Sequence, residues 1–182
     1  MSSLSQCSEL TEDTIIQGVR EGDREIFTAW YRNVYPELWK YAYRYVLSRD
    51  AAKDVVQDVF LNIWINRESW TVPGTLRAYL YKAVRNQALY KLRHENLIEK
   101  TSGTFAQNSL PLAMAVPSAS PDEMAEHKEL LECLESAVRS LPPRQREAVI
   151  LRWHNEFNFT EIGRIMGIAD TVARRILLRA QK

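Results

Sequence analysis

The sequence predicts an all-α fold of two small helical domains joined by a flexible linker, and three observations carry that expectation. Apolar residues recur at helical spacing both before residue 98 and after residue 122, with cap and breaker residues between the stripes. Between those regions, TSGTFAQNSLPLAMAVPSASP is rich in Ser, Ala and Pro and lacks both charge and period, as a linker does. The charge is also segregated. Leu76 to His94 carries Arg77, Lys82, Arg85, Lys91 and Arg93 without an acid, Asp122 to Arg139 is acidic, and Leu141 to Lys182 has eight basic residues against four acids. A net charge of +1 over 182 residues therefore conceals two basic patches, each a candidate anion-binding surface. The expected division is 1–98, a linker at 99–121, and 122–182.

A short helix is expected from about Glu12 to Arg20, ended by Gly22. Asp23 then caps a helix striped by Ile26, Phe27, Trp30, Tyr31 and Val34. Pro36 either kinks that helix or opens the next at its first turn, where its missing N–H costs nothing. Leu38 to Leu47 continues with Trp39, Tyr43 and Val46, and Phe27, Trp30 and Trp39 are assigned to the core.

The stretch DAAKDVVQDVFLNIWINR, Asp50 to Arg67, reads as a helix capped by Asp50, with Val55, Val56, Val59, Phe60 and Ile63 inward. Its other side mixes acids and aliphatics: Asp54, Gln57, Asp58 and Leu61, with Ile65 one turn further. Such a face either docks a partner or packs on a neighbouring helix of a larger bundle, and the stretch taken alone favours the second. A loop follows, holding Trp70 and the breaker pair Pro73-Gly74. In the next helix Leu76, Leu80, Ala83 and Val84 face inward, while Lys82, Arg85, Asn86, Leu89 and Arg93 lie outside with Tyr79 at the edge. Cations for phosphates, a ring for stacking and an amide for base edges suit melted nucleic acid; a solvated basic face is the alternative.

After the linker, a helix over Asp122 to Arg139 buries Met124, Leu130, Leu131, Leu134 and Val138, with Cys133 as a small packing residue. Prolines at 142 and 143 restart the chain, and Val149, Ile150 and Trp153 are expected inward. Asn158 and Glu161 have the spacing of a capping box, Phe157 and Ile162 that of a hydrophobic staple, and Gly167 stops the helix. A second helix from about Asp170 puts Val172, Ala173, Ile176, Leu177 and Ala180 on one face. Thr171, Arg174, Arg175, Leu178 and Lys182 take the opposite face, with Arg179 at the border. This reads as a helix-turn-helix, whose arginines suit guanine edges or phosphates and whose Leu178 suits a thymine methyl; a helical hairpin used only for packing is the weaker alternative, given the arginine-rich outer face.

Cys7 and Cys133 fit no metal spacing and the histidines are scattered, so no metal site, cofactor or disulfide framework is expected. No signal-peptide core or membrane-length apolar run occurs, which suggests a soluble cytoplasmic protein. Without a Gly-rich phosphate loop, paired His/Cys ligands or a nucleophile setting, an enzyme finds nothing to use.

In this order the parts resemble the extracytoplasmic-function (ECF) group of bacterial RNA polymerase sigma factors, over nearly the whole chain. Gly22 to Tyr31 resembles the family's opening motif, and Asp54 to Trp64, DVVQDVFLNIW, resembles its D-L-V-Q-E-V-F-L-x-x-W segment. Arg77 to Leu80 with Ala83 to Asn86 resembles its R-x-W/Y-L…A-x-R-N helix. Leu141 to Glu147, Thr160 to Ile162 and Met166 to Ile168 resemble region 4. The resemblance implies a non-catalytic initiation subunit that binds core RNA polymerase and promoter DNA. Asp54, Gln57, Asp58 and Leu61 would dock on the β′ clamp coiled coil. Trp70, Arg77, Tyr79, Lys82, Arg85 and Asn86 would read and melt the −10 element, and Thr171, Arg174, Arg175 and Arg179 would read the −35 element. Region 4 would also meet the β flap, and an anti-sigma factor would hold the protein inactive, without direct membrane insertion by this chain. Glu156 departs from the family pattern by standing where glycine is usual, so the approach to the capping box is expected to bend differently. The competing reading is a stand-alone helix-turn-helix regulator, which has no need of the acidic-apolar face around Asp58.

Overall fold

The computed structural model describes residues 11–102, 136–138 and 140–180, with side chains as far as His94 in the first stretch. Among these residues every regular element is a helix, and the chain divides into two compact units between residues 105 and 106.

In the first unit, Thr11 caps α1 (Glu12–Glu21), and Gly22 closes it in the left-handed region at φ 80°, where glycine carries no Cβ penalty. Asp23 then accepts from the Glu25 and Ile26 N–H groups and starts α2 (Arg24–Val46). Pro36 lies inside α2 and neither starts nor ends it. Its ring faces solvent, while the opposite side of α2 packs on the rest of the unit, and that packing carries the helix past the lost hydrogen bond.

The third helix, α3 (Arg49–Ile65), is capped by Ser48 and not by Asp50. Ser48 Oγ accepts from the Ala51 N–H at 3.3 Å, and Asp50 sits inside the first turn, where its charge favours the helix dipole. The inward stripe is as expected, with Val55, Val56, Val59, Phe60 and Ile63 buried between α2 and α4 (Leu76–Ser102). Each such side chain contributes about 1.5–3 kcal/mol through its burial. Phe60 is the aromatic hub, 4.9 Å from both Trp30 and Tyr31 and 5.9 Å from Phe27 between ring centroids. Trp39 is only half-buried, stacking on Tyr43 at 5.5 Å and donating to the Arg49 carbonyl at 3.3 Å. The buried stripe of that part of α2 is Leu38, Tyr41, Ala42 and Tyr45, so the helix is turned away from the phase that Trp39 suggested.

Arg44 shares that buried region at 4 % exposure. Burial pulls its pKa down, and the neighbouring Tyr81, Tyr41, Tyr45 and Glu37 oppose the shift. The Tyr81 phenol is pushed up to about 12, mainly by burial and then by Glu37, to which its hydroxyl donates at 3.4 Å. The start of α4 is tied to α1 by the Leu76 N–H, which donates to Glu12 Oε2 at 3.0 Å. Helix α4 runs to Ser102, past the boundary expected at residue 98.

The expected helix over Asp122 to Arg139 lies almost wholly outside the described residues, as do Cys7 and Cys133; in the second unit Val138 is buried. Pro143 opens α5 (Pro143–Val149) at its first position, and a widened turn, Ile150–His154, continues it. There the Asn155 N–H reaches back five residues to the Ile150 carbonyl at 3.1 Å. The wider turn rotates each residue less, so Leu151 is buried and Trp153, expected inward, is 54 % exposed. The capping box forms as expected: Asn158 Oδ1 accepts from the Glu161 N–H and Glu161 Oε2 from the Asn158 N–H, both at 2.9 Å. It starts α6 (Phe159–Met166), which Gly167 ends at φ 68°, and α7 (Asp170–Ala180) follows. Phe157, Ile162, Ile165, Ala173 and Leu177 form this unit's core. Glu156 keeps the left-handed backbone that glycine adopts freely, at φ 56°.

Candidate functional site

Three surfaces follow from this packing. The first is the outer side of α3, where Asp54, Gln57, Asp58 and Leu61 are all exposed and Leu61 and Ile65 stand 58 % and 65 % open. The face divides along its length. Asp54 Oδ2 accepts from Lys91 Nζ at 2.9 Å, and Asp58 Oδ2 accepts from Gln87 Nε2 at 3.0 Å, so both acids lean toward α4. Gln57 and Leu61 instead border a shallow groove of about 430 Å³ against α2, with Phe27, Tyr31 and Trp64. Burial and the neighbouring Tyr35 raise the Tyr31 pKa, and a hydrogen bond from Gln57 pulls it the other way. An acidic edge beside an open aliphatic ridge and an aromatic groove can hold a basic, apolar helix.

The second surface is a cleft of about 510 Å³ between α3 and α4. Of the residues expected to read the −10 element, Trp70, Tyr79 and Asn86 line it together. Arg77 lies over the Tyr81 ring at 5.8 Å and borders a different cleft, against α1 and α2. Lys82 is exposed and Arg85 half-buried, and neither lines the α3–α4 cleft. Trp70 does not present an open ring. It is 5 % exposed, wedged 5.8 Å from both Trp30 and Tyr79, and its carbonyl accepts from Arg20 Nε at 3.0 Å. The indole thus anchors the loop. Sequence reasoning missed Asn62 and Asn66 of α3 and its cap, which line the same cleft and are joined by a bond from Asn66 Nδ2 to the Asn62 carbonyl at 2.9 Å. Their four-residue spacing, one turn beyond Asp58, was the available signal.

The third surface is α7. Thr171, Arg174, Arg175, Leu178 and Arg179 are exposed on it as expected, while Ala173 and Leu177 are buried against α5 and α6. Lys182 lies outside the described residues. The Arg174 guanidinium lies over the Phe159 ring, 5.0 Å from its centroid, and the Arg152 guanidinium is 5.3 Å from the same centroid. Neither Phe159 nor Arg152 was singled out from the sequence for this surface.

Among the described residues no cluster of His, Cys, Asp or Glu could hold a metal ion, and no helix is long and apolar enough to cross a membrane.

Comparison with known proteins places these surfaces in context. The Sigma-70 region 2 family matches residues 30–97, and the Sigma-70, region 4 family matches residues 137–182. The chain is 23 % identical over 166 residues to the ECF RNA polymerase sigma factor SigW of Bacillus subtilis (strain 168), covering 88 % of each. It is 28 % identical over 164 residues to the RNA polymerase sigma factor CarQ of Myxococcus xanthus, covering 90 % of this chain and 87 % of CarQ. Among solved structures, the sigma factor RpoE in complex with the anti-sigma factor NepR from Bartonella quintana aligns with a TM-score of 0.63 at 24 % identity, over 85 % of this chain and 91 % of that one. CnrH in complex with the cytosolic domain of CnrY aligns with a TM-score of 0.60 at 15 % identity, over 93 % and 92 %. At these identities the two structures speak to fold alone.

Proposed function

This chain belongs to the extracytoplasmic-function group of RNA polymerase sigma factors, and we propose that it carries core polymerase to promoters through the three surfaces above. In this reading Asp54, Gln57, Asp58 and Leu61 dock on the β′ clamp coiled coil. The single observation that supports it most is Leu61 and Ile65 standing open beside two acids, on a helix whose opposite side is the unit's core. A free-standing regulator has no use for such a face.

The α3–α4 cleft then receives melted −10 DNA. Tyr79 offers a ring, Asn62, Asn66, Asn86 and Gln87 offer amides to base edges, and Arg93 offers a cation at the rim. Trp70 fixes the loop that closes one end, while Arg77, Lys82 and Arg85 serve the backbone from outside the cleft. In the second unit α7 enters the major groove, where Thr171, Arg174, Arg175 and Arg179 meet the −35 element. The same unit meets the β flap.

The chain works as a non-catalytic initiation subunit in the cytoplasm. An anti-sigma factor holds it inactive by covering the α3 face, a reading that the solved relatives bound to NepR and CnrY support by analogy of fold. The test is retention of the purified chain by core polymerase, followed by transcription from promoters recovered from a genomic library. No retention through β′ would sink the proposal.

A further inference from the structure

Phe159 occupies the first position of α6, directly after the Asn158 cap, so the capping box fixes the backbone that carries its ring. The ring is half-buried. Two guanidiniums converge on it from different elements: Arg152 from the widened turn after α5, at 5.3 Å, and Arg174 from α7, at 5.0 Å. Arg152 is held further by Nη1 donating to the Phe157 carbonyl at 3.2 Å. Among the described residues neither arginine is in an ion pair, so both charges stay available to an anion. The negative face of an aromatic ring attracts a guanidinium placed over it, and that attraction acts while an anion is absent. An arginine ordered before binding also loses less side-chain freedom on binding.

We propose that Phe159 is a positioning residue for DNA reading: its ring, which Arg152 also contacts, holds the Arg174 guanidinium in the orientation that meets the −35 duplex. This rests on the assignment of α7 as the −35 reader and adds a residue from outside that helix. Phe159 itself need not touch DNA. It sets how sharply the duplex is discriminated, by narrowing the directions Arg174 can take.

The experiment uses the full chain with core polymerase and a duplex that this holoenzyme selects from a randomised pool, compared with the same duplex carrying a scrambled −35 element. Phe159→Leu is expected to reduce the affinity ratio of the two duplexes about two- to fivefold, the scale of one exposed cation–π contact, and Phe159→Tyr to preserve it. In an Arg174→Ala background Phe159→Leu should change the ratio no further. Replacing Phe159 by phenylalanines of increasing fluorination keeps the ring's shape while weakening its negative face, and the ratio should fall along that series; this arm stands even where Phe159→Leu impairs folding. A ratio flat across the fluorinated series, or an equal loss from Phe159→Leu with and without Arg174, overturns the proposal. An Arg174→Ala chain that keeps full discrimination overturns the assignment of Arg174 as a −35 reader as well, so the two failures are told apart.

Discussion

Lys91 Nζ lies 2.9 Å from Asp54 Oδ2, so the helix proposed to read DNA also holds an acid of the helix proposed to dock on polymerase. The Lys91 side chain is 26 % exposed and that of Asp54 55 %, which makes the pair a screened surface contact. Its measured coupling in a double-mutant cycle of Asp54→Ala and Lys91→Ala should therefore stay under about 1 kcal/mol and shrink with added salt. Urea unfolding at two ionic strengths checks it. A larger, salt-independent coupling would mean that the pair is a structural lock.

Asp58→Arg should lower affinity for core polymerase at least about tenfold, because a like charge would face a basic partner. Only the exposed bond to Gln87 Nε2 is lost within the fold, so far-UV circular dichroism and melting should hardly move. Unchanged affinity would count against the docking face.

Arg174→Ala combined with Arg175→Ala should abolish transcription from a cognate promoter, each base contact being worth ~1–3 kcal/mol. Both side chains are exposed, so stability should be nearly unaffected. Survival of promoter-specific transcription in that pair would show that another face reads the −35 element.

Glu156→Gly should stabilise the second unit by about 0.5–1 kcal/mol, the left-handed penalty less the greater chain entropy of glycine. The residue is exposed and its φ is 56°, so the substitution removes strain without opening a cavity. Thermal melting of the two chains side by side gives the answer, and a lower midpoint for the variant would contradict it.

Stability should fall as pH rises from about 10 toward 12, because the folded state keeps the Tyr81 proton after the unfolded chain has released it. Below the ordinary tyrosine range this group adds no pH dependence. In the window it contributes a slope of about 1.4 kcal/mol per pH unit. Tyr81→Phe should remove that share, as melting midpoints from pH 9 to 12 would reveal.

What was legible in the sequence was whatever rests on local chemistry. The Asn158–Glu161 capping box, the left-handed stops at Gly22 and Gly167, and the inward stripe of α3 all depend on residues within a turn or two of each other. Departures arose where a distant contact or an uneven backbone decides the outcome. Ser48 and Asp50 are both good caps, and Ser48 holds the position because the helix starts at Arg49. Trp153 faces outward because the helix widens at Ile150–His154, which uniform periodicity does not anticipate. Trp70 sits in a loop yet is buried, because Trp30 arrives from far along the chain and Tyr79 from the following helix to cover it. The residues proposed to dock were legible as a pattern; that Asp54 and Asp58 lean on Lys91 and Gln87 needed α4 in place.

Helix α4 places Tyr79 and Asn86 in the cleft while Gln87 and Lys91 hold the acids of α3. On the proposed reading, promoter preference and enzyme affinity are then inherited together. Grafting this helix between paralogues to exchange −10 specificity would also change how well the hybrid competes for a limited pool of polymerase. An orthogonal regulator made that way needs Gln87 and Lys91 kept as they are, or Asp54 and Asp58 exchanged along with them.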